Sequence, residues 1–243
     1  MIVLFTDFGL EGPYVGQMMA VLQRRAPGHP VLSLFADAPA HEPKLAAYLL
    51  AAFAPEFPPG TVFLAVVDPG VGGGRAPAVV EADGCWYVGP ENGLLAVLAR
   101  RAGRFHWWRI TWRGERLSAS FHGRDLFAPV AAMLAQGEPP PGEPRPPAEL
   151  LRPGWPEDLP QIVYIDRFGN AMTGLRASIL SDDTVLGVGR HRLSRVRTFS
   201  DMAPGEAFWF ENANGLAEIA VNQGRAEQAL GLALGDHVEI AAR

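Results

Sequence analysis

The sequence predicts an α/β protein with an N-terminal, mostly parallel sheet flanked by helices and a C-terminal antiparallel β-barrel domain. Short apolar runs alternate with helix-length amphipathic stretches early in the chain, whereas short strand-like runs separated by turns fill its end. A proline-dense stretch separates the two patterns. We therefore expect domains at residues 1–145 and 161–243, joined by a Pro-rich linker over residues 146–160.

The N-terminal elements follow from the period of the apolar residues. IVLFT (2–6), VLSLF (31–35) and VFLAVV (62–67) are typical of strands buried on both faces. YVGQMMAVLQRR (14–25) and PKLAAYLLAAF (43–53) space their apolar residues as helices do. Strands alternating with helices imply a parallel sheet with right-handed crossovers. Ligands of such sheets bind beyond the carboxyl ends of the strands.

The C-terminal elements begin after a stretch, residues 137–160, whose prolines are too dense for a helix or an inner strand. No strong helical pattern follows it, so we expect a small antiparallel barrel or sandwich. The predicted strands are QIVYID (161–166), TVLGVG (184–189), AFWFEN (207–212), LAEIAV (216–221) and HVEIAA (237–242).

Composition excludes several classes of function. With 48% hydrophobic and 19% charged residues, the 243-residue chain suits a globular protein, and its net charge of −5 argues against nucleic-acid binding. No apolar run reaches the roughly 18 residues that span a membrane. The chain starts with MIVLFTDFG and shows no basic leader, so we expect a cytoplasmic protein. The single cysteine, Cys85, excludes an internal disulfide and a cysteine metal cluster, and we expect it to be a buried apolar residue.

Two predicted strands end in an aspartate followed shortly by glycine, at Asp7 in TDFG and Asp68 in VVDPG. Both carboxylates should open into one crevice beyond the sheet. Asp7 suits either the hydroxyls of a ribose or the cap of the following helix. Asp68 is followed by a glycine-rich turn and by Arg75. These two residues suit either the orientation of a polar nucleophile or a plain loop ion pair.

A third candidate segment is SFHGRDLFAPVAAML (120–134), where His122 precedes an apolar helix. A loop histidine can act as a general acid or base, or it can be ordinary surface. Asp125 is expected to be a helix-start carboxylate favoured by the helix dipole.

The C-terminal candidates lie in YIDRFGNAMTG (164–174) and FENANGLAEIAVNQG (210–224). Asp166 ends a strand, and Phe168 beside the Asn170 amide suits adenine, which presents a flat face and adjacent donor and acceptor atoms. The alternative is an Asn-containing turn with Phe168 packed beneath it. The second segment is equally typical of a hairpin with a solvent-facing Glu218.

Six segments together, in order, resemble the S-adenosyl-L-methionine (SAM) hydroxide adenosyltransferase family, adenosine-forming SAM hydrolases related to fluorinases and chlorinases. They are TDFGLEGPYVGQM, FLAVVDPGVGGGR, VGPENGLL, FHGRDLFAPVAA, YIDRFGN and NGLAEIAVNQG. The resemblance implies an N-terminal α/β domain, a C-terminal β-barrel and a homotrimer with sites between subunits. It implies SAM as the small-molecule substrate, with no cofactor and no metal.

The resemblance also assigns roles to residues. The set that places and activates water corresponds to Asp68, Arg75 and His122, and the ribose carboxylate corresponds to Asp7. The remaining substrate contacts correspond to Asp166, Phe168, Asn170, Phe199, Asn214, Glu218 and Val221, the last through its backbone.

The reaction that the resemblance implies is hydrolysis of SAM to adenosine and L-methionine, with water attacking ribose C5′. A halogenase is the first alternative, but the halogenating relatives carry tyrosine where this chain has Asp68, and an inserted loop that this chain lacks. A non-catalytic SAM or adenosine sensor is the second, and a structural trimer with a vestigial site is the third. The chain departs from the family pattern at Gly12, Ala36 and Ala213, where the family usually has aspartate, histidine and serine. The serine hydroxyl would hold the methionine carboxylate, so its absence leaves the hold on the amino-acid end of SAM open, with Asn214 as the candidate substitute.

Overall fold

The computed structural model describes residues 1–242 and shows a mixed α/β chain. The chain divides into two compact units, Met1–Pro153 and Gly154–Arg243. The boundary falls inside the proline-dense stretch. Each unit has its own hydrophobic core and its own sheets.

The N-terminal unit is built on one seven-stranded sheet with the order β2-β1-β3-β5-β4-β6-β7. Strands β2, β1, β3 and β5 pair in parallel, and β4, β6 and β7 continue the sheet by antiparallel pairing. The strands are β1 (Ile2–Thr6), β2 (Val31–Phe35), β3 (Val62–Val66), β4 (Pro77–Ala82), β5 (Cys85–Pro90), β6 (Phe105–Ile110) and β7 (Gly142–Arg145).

Helices pack against this sheet. They are α1 (Tyr14–Arg25), α2 (Pro43–Phe53), α3 (Ala96–Arg101), α4 (Ala128–Ala135) and α5 (Pro147–Leu150), with a 3₁₀ turn at Ala54–Glu56 and a π turn at Gly123–Phe127. One core cluster joins Met18 of α1 and Val130 of α4 to Leu4 and Leu64 of the central strands. The three predicted strands and two predicted helices are confirmed, and each begins at the predicted residue.

The prediction that β2 is buried on both faces is wrong. It forms the edge of the sheet, and Leu32 is 46% exposed. An apolar run alone does not reveal that a strand lacks a neighbour. The proline-dense stretch contains two short elements, β7 and α5. Pro144 is tolerated in β7 because that strand is the opposite edge.

The C-terminal unit contains two antiparallel sheets, with the orders β12-β13-β9-β8 and β11-β10-β14. Its strands are β8 (Leu159–Ile165), β9 (Ala171–Arg176), β10 (Thr184–Val188), β11 (His191–Ser194), β12 (Ala207–Glu211), β13 (Leu216–Val221) and β14 (Glu239–Ala242). A short helix, α6 (Ala226–Leu230), follows β13, and 3₁₀ turns lie at Ala177–Ile179 and Phe199–Asp201.

Two isolated bridges link these sheets. Gln161 of β8 pairs with His237, just before β14, and Arg195, just after β11, pairs with Trp209 of β12. Trp209 is fully buried in a core that it shares with residues of both sheets. The antiparallel character expected for this part of the chain is confirmed.

Cys85 is buried, as expected, and its thiol contacts the carbonyl oxygen of Pro58 at 3.6 Å. Burial raises the pKa of this thiol. Within residues 1–242, no helix combines the length and the apolar character that crossing a membrane requires.

Candidate functional site

Asp68 and Arg75 form a buried ion pair at the carboxyl end of β3. Arg75 Nε donates to both carboxylate oxygens of Asp68 at 2.9 Å, and Arg75 Nη2 donates to Oδ2. The two side chains are only 5% and 11% exposed, respectively. The intervening turn needs glycine, because Gly72 has φ +76° and an added Cβ would lie 2.5 Å from the Ala119 carbonyl oxygen. The turn therefore packs directly against the segment that leads to His122.

His122 completes this cluster from a distant part of the chain. Its Nδ1 lies 2.9 Å from Arg75 Nη2. Burial, and then the charge of Arg75, lower the pKa of the imidazole. The neutral ring is thus favoured, with Nδ1 accepting from the guanidinium. The structure brings Asp68, Arg75 and His122 together as the sequence predicts.

A cavity of about 510 Å³ opens beside this cluster. Asp68 and His122 both line it. Further walls come from Phe8, Tyr14, Gln17, Arg116, Phe121 and Arg124. The cavity has room for a nucleoside-sized group and places it next to the carboxylate.

Asp7 follows β1 directly and accepts a hydrogen bond from the backbone N–H of His41 at 3.1 Å. The helix-cap alternative is wrong, because α1 begins after Pro13 and no side chain caps it. Burial raises the pKa of Asp7, the His41 bond opposes this, and the charge of Asp68 raises the pKa slightly further. Asp7 is therefore electrostatically coupled to Asp68, although it is not among the residues that line the cavity.

Arg124 and Asp125 brace one wall of the cavity. Arg124 Nε and Nη2 donate to the Asp125 carboxylate at 2.6 and 2.9 Å, and Nη1 donates to Gln17 at 3.0 Å. Asp125 lies in the first turn of the π segment, in agreement with the prediction of a helix-start carboxylate. It also accepts a hydrogen bond from the backbone N–H of Ser118 at 2.9 Å. The bond from Arg124 lowers the pKa of Asp125.

A second cavity, of about 720 Å³, lies in the C-terminal unit. It is lined by all seven predicted substrate contacts of that unit, namely Asp166, Phe168, Asn170, Phe199, Asn214, Glu218 and Val221. Asp166 Oδ1 accepts the backbone N–H groups of Phe168 and Asn170 at 2.8 and 2.9 Å. Phe168 is 73% exposed, so the alternative that packs its ring beneath the turn is wrong.

Glu218 faces this cavity from β13 and is only 4% exposed, so the solvent-facing alternative is wrong. Its Oε2 accepts a bond of 2.8 Å from Asn212 Nδ2, and Asn212 Oδ1 in turn accepts the backbone N–H of Asn214 at 2.9 Å. Burial raises the pKa of Glu218.

Sequence reasoning missed several cavity residues. In the first cavity they include the rings of Phe8, Tyr14 and Phe121, and in the second they include Met172, Phe210, Asn212 and Arg225. The asparagine-rich strand end was a usable signal for Asn212. The rings carry no comparable signal, because apolar residues at a strand end or on a helix are typical of packing.

The three departures lie in different surroundings. Gly12 has φ +95°, Ala36 is buried and its carbonyl accepts the Gly9 N–H at 2.6 Å, and Ala213 lines the second cavity. Among residues 1–242, no group of three or more His, Cys, Asp or Glu side chains is arranged to share a metal ion.

Known proteins resemble this chain over nearly its whole length. Residues 2–142 match the SAM hydroxide adenosyltransferase N-terminal domain, and residues 160–239 match the C-terminal domain. A relative from Thermus thermophilus, named (R)-S-adenosyl-L-methionine hydrolase, is 41% identical over 98% of both chains. A relative of the same name from Salinispora tropica is 38% identical over 98% of this chain and 96% of its own.

Solved structures agree with these matches. An uncharacterized conserved protein from Thermotoga maritima superposes with a TM-score of 0.89 at 32% identity, over 99% of this chain and all of its own. A conserved hypothetical protein from Thermus thermophilus has a TM-score of 0.81 at 37% identity, over 99% of both chains. The chain belongs to the SAM hydroxide adenosyltransferase family.

Proposed function

We propose that this protein is an enzyme that hydrolyses SAM to adenosine and L-methionine. Two relatives at 38–41% identity are named SAM hydrolases, and both family domains are present. The observation that carries the proposal within this chain is the Asp68–Arg75–His122 cluster at the mouth of a nucleoside-sized cavity. The family match alone would not say that the water-placing groups are in reach of one another.

Asp68 orients the attacking water and accepts its proton. Oδ2 accepts from both Nε and Nη2 of Arg75, whereas Oδ1 accepts from Nε alone, so Oδ1 retains a lone pair to which a water can donate. Arg75 fixes the carboxylate in one orientation by its two-nitrogen contact. Positioning is the main requirement, because the leaving group is already activated by its positive charge.

His122 supplies a donor rather than a base in this scheme. Its Nδ1 accepts from Arg75, so the proton sits on Nε2. That N–H is free to donate to the water oxygen. Asp68 accepts a hydrogen bond from the water, and Nε2–H donates one to it. Together these two contacts fix the orientation of the water and of the lone pair that attacks C5′.

The reaction balances without a co-reactant. The water oxygen bonds to C5′ as the bond from C5′ to sulfur breaks, and the electron pair of that bond leaves with sulfur. Methionine departs as a neutral thioether, and the water proton passes through Asp68 to solvent. SAM is the substrate, and we assign no cofactor or metal to these steps.

We further propose that the substrate is the (R)-sulfonium epimer, because the relatives carry that epimer in their names. Parallel turnover measurements with the purified (R) and (S) epimers test this assignment. Equal turnover of the two epimers contradicts it.

We assign the adenine and the amino-acid end of SAM to the C-terminal cavity, and the ribose with its reacting C5′ to the N-terminal cavity beside Asp68. Phe168 offers an exposed ring for the base, and Asn170 offers an amide edge for its donor and acceptor atoms. Asp7 binds the ribose hydroxyls. Val221 contacts adenine through its backbone, and Asn214 beside Ala213 takes over the hold on the methionine carboxylate.

We propose that the protein is a cytoplasmic homotrimer, in which the N-terminal cavity of one subunit is completed by the C-terminal cavity of its neighbour. The domains are taken as 1–145 and 161–243, joined by residues 146–160. The two bridges between the C-terminal sheets support a closed barrel for the second domain, since together they connect both edges of one sheet to the other.

Complementation tests this assembly. Asp68→Ala and Asn170→Ala each remove one half of the proposed site. If the two halves come from different subunits, mixed trimers of the two inactive variants contain intact sites and regain activity. Inactive mixtures, with mixed trimers verified by native mass spectrometry, contradict shared sites.

Turnover in ¹⁸O-labelled water tests the activity itself. Hydrolysis at C5′ produces adenosine carrying ¹⁸O at its 5′-hydroxyl, together with unlabelled methionine. A chloride-dependent 5′-chloro product would instead indicate a halogenase. SAM binding without adenosine formation would indicate a sensor, and the absence of any SAM-induced rise in melting temperature would indicate a vestigial site.

A further inference from the structure

Three aromatic rings form a corner of the N-terminal cavity. They belong to Phe8, Tyr14 and Phe121, and we call them the aromatic corner. Their centroids are 6.0 Å apart for Phe8 and Tyr14, 5.8 Å for Phe8 and Phe121, and 5.4 Å for Tyr14 and Phe121. The interplanar angles are 59°, 75° and 89°, so the rings are inclined to one another and not stacked, and each ring forms a separate wall.

The sequence places these rings next to the proposed chemistry. Phe8 follows the ribose carboxylate Asp7, and Phe121 precedes His122. Tyr14 is the first residue of α1 and is 52% exposed. A core ring needs no such exposure, so Tyr14 leaves much of its surface to the cavity and to solvent.

One of the three rings already carries a cation. The guanidinium carbon of Arg124 lies 5.0 Å from the centroid of Phe121, within the range of cation–π attraction. Because Arg124 is paired with Asp125, its charge is largely compensated. Among the described residues, no cation contacts the ring of Phe8 or Tyr14. The faces of these two rings are therefore available to a ligand.

We propose that the aromatic corner binds the sulfonium of SAM through cation–π contacts, chiefly at Tyr14 and Phe8; this inference rests on the proposed function. The sulfonium is directly bonded to C5′, the carbon that Asp68 faces, so it must lie near the walls that share a cavity with Asp68. A π face attracts the cation without adding a second nucleophile beside C5′. A further carboxylate would compete with water there.

The change in charge on sulfur during the reaction predicts which kinetic constant depends on the aromatic corner. The sulfonium is fully charged in bound SAM and loses that charge as the bond from carbon to sulfur breaks. Cation–π binding is therefore stronger in the ground state than in the transition state, so it contributes to KM and not to kcat. Tyr14→Leu should raise KM by about 3- to 10-fold and leave kcat unchanged or slightly higher.

The decisive experiment compares two ligands that are not hydrolysed. Sinefungin carries a protonated amine in place of the methylated sulfur, and S-adenosylhomocysteine carries a neutral thioether. Titration calorimetry measures both dissociation constants for the wild type, Tyr14→Leu and Tyr14→Phe. We expect Tyr14→Leu to weaken sinefungin by about 3- to 10-fold and S-adenosylhomocysteine by less than about 2-fold, whereas Tyr14→Phe retains both affinities.

Equal weakening of the two ligands by Tyr14→Leu would overturn the proposal, since the ring would then act only through packing. Unchanged affinity for both would overturn it as well. Neither result touches the proposed function, because wild-type turnover of SAM is measured in the same preparation. A wild type that neither binds nor hydrolyses SAM overturns the proposed function first, and the inference with it.

Discussion

Arg75 holds His122 in a single tautomer. Its Nη2 lies 2.9 Å from the imidazole Nδ1, and a guanidinium has only donors to offer. Nδ1 must therefore accept, and the ring proton must sit on Nε2. Protonation of Nδ1 would place two donors against each other and break the contact.

Activity is therefore expected to fall in acid as His122 becomes protonated. Burial and the Arg75 charge place the pKa of His122 below 6.5, so the acid limb of kcat should lie below that value too. His122→Asn keeps an acceptor for Arg75 but no group that titrates. This variant should lose about 10- to 100-fold in kcat and lack the limb. An unchanged limb in its pH–rate profile would assign the titration to another group.

The same shift makes a prediction for stability. Between the lowered pKa of folded His122 and the ordinary 6.5 of the unfolded chain, the unfolded state binds more protons. The free energy of unfolding should therefore rise with pH across that window. Urea melts of the wild type and His122→Asn at several pH values isolate this contribution.

Asp68→Ala should lower kcat by about 10²- to 10⁴-fold, because it removes the group that orients water and accepts its proton. Affinity for S-adenosylhomocysteine should change little. Asp68→Asn is the matched control, since it retains the shape of the side chain but cannot take up the proton. Full turnover by either variant would refute the assignment.

Asp7 should act on binding. Replacing it with alanine is expected to raise KM by about 10- to 100-fold, the scale of hydrogen bonds to a charged group, with a smaller effect on kcat. The measurement is initial-rate kinetics across SAM concentrations. An unaltered KM would exclude a ribose contact.

The ionised carboxylate of Glu218 should lower the free energy of unfolding at neutral pH. Burial raises its pKa above the ordinary 4.5, so the folded state binds more protons than the unfolded state between 4.5 and the raised value. Stability then falls as the pH rises through that window. Glu218→Gln retains the acceptor for Asn212 and should raise Tm at pH 7, by about 2–4 °C per kcal/mol gained. The gain should vanish below pH 4.5, and a gain independent of pH would rule out the buried charge as its cause.

Gly169 sets the turn that presents Phe168. Its φ is +85°, and an added Cβ would collide with the Glu227 carboxylate and lie 2.8 Å from Arg225 Cβ. Gly169→Ala should destabilise the C-terminal unit by about 1–3 kcal/mol and raise KM. Gly231→Ala is a control for backbone strain alone, because Gly231 has φ +68° and open space around it. Equal losses in urea melts of both variants would exclude the collision.

The sequence predicts β1 to β3 and the first two helices well because their apolar periods are clean. It misses β4 to β7, β9 and β11, and of these β5 contains Gly89 and β9 contains Gly174. An added Cβ at Gly174 would lie 2.7 Å from Leu159 Cβ, so this glycine serves close packing of β9 on β8 rather than a turn. Packing of this kind leaves no periodic trace in a sequence.

The residues of the candidate site also differ in how well the sequence predicts them. Functional charged residues at strand ends, such as Asp7 and Asp68, can be predicted, because ligands of parallel sheets bind beyond the carboxyl ends of the strands. The glycine-rich turn already suggests that Arg75 pairs with Asp68, whereas His122 can be added to them only through the family resemblance, because 47 residues separate it from Arg75. Tyr14 and Phe210 stay hidden, because nothing local distinguishes a ring that lines a cavity from one that fills a core.

Each compact unit carries its own cavity and its own hydrophobic core. On the proposed function, the groups that place water lie in one unit and the groups that recognise the base lie in the other, so substitutions in one unit need not disturb the core of the other. Exchanging residues 160–239 between this chain and a relative with a different nucleoside preference would be expected to transfer that preference while leaving the bond-breaking step intact. A boundary of this kind would let substrate specificity change while the residues that act on the reacting bond stay the same.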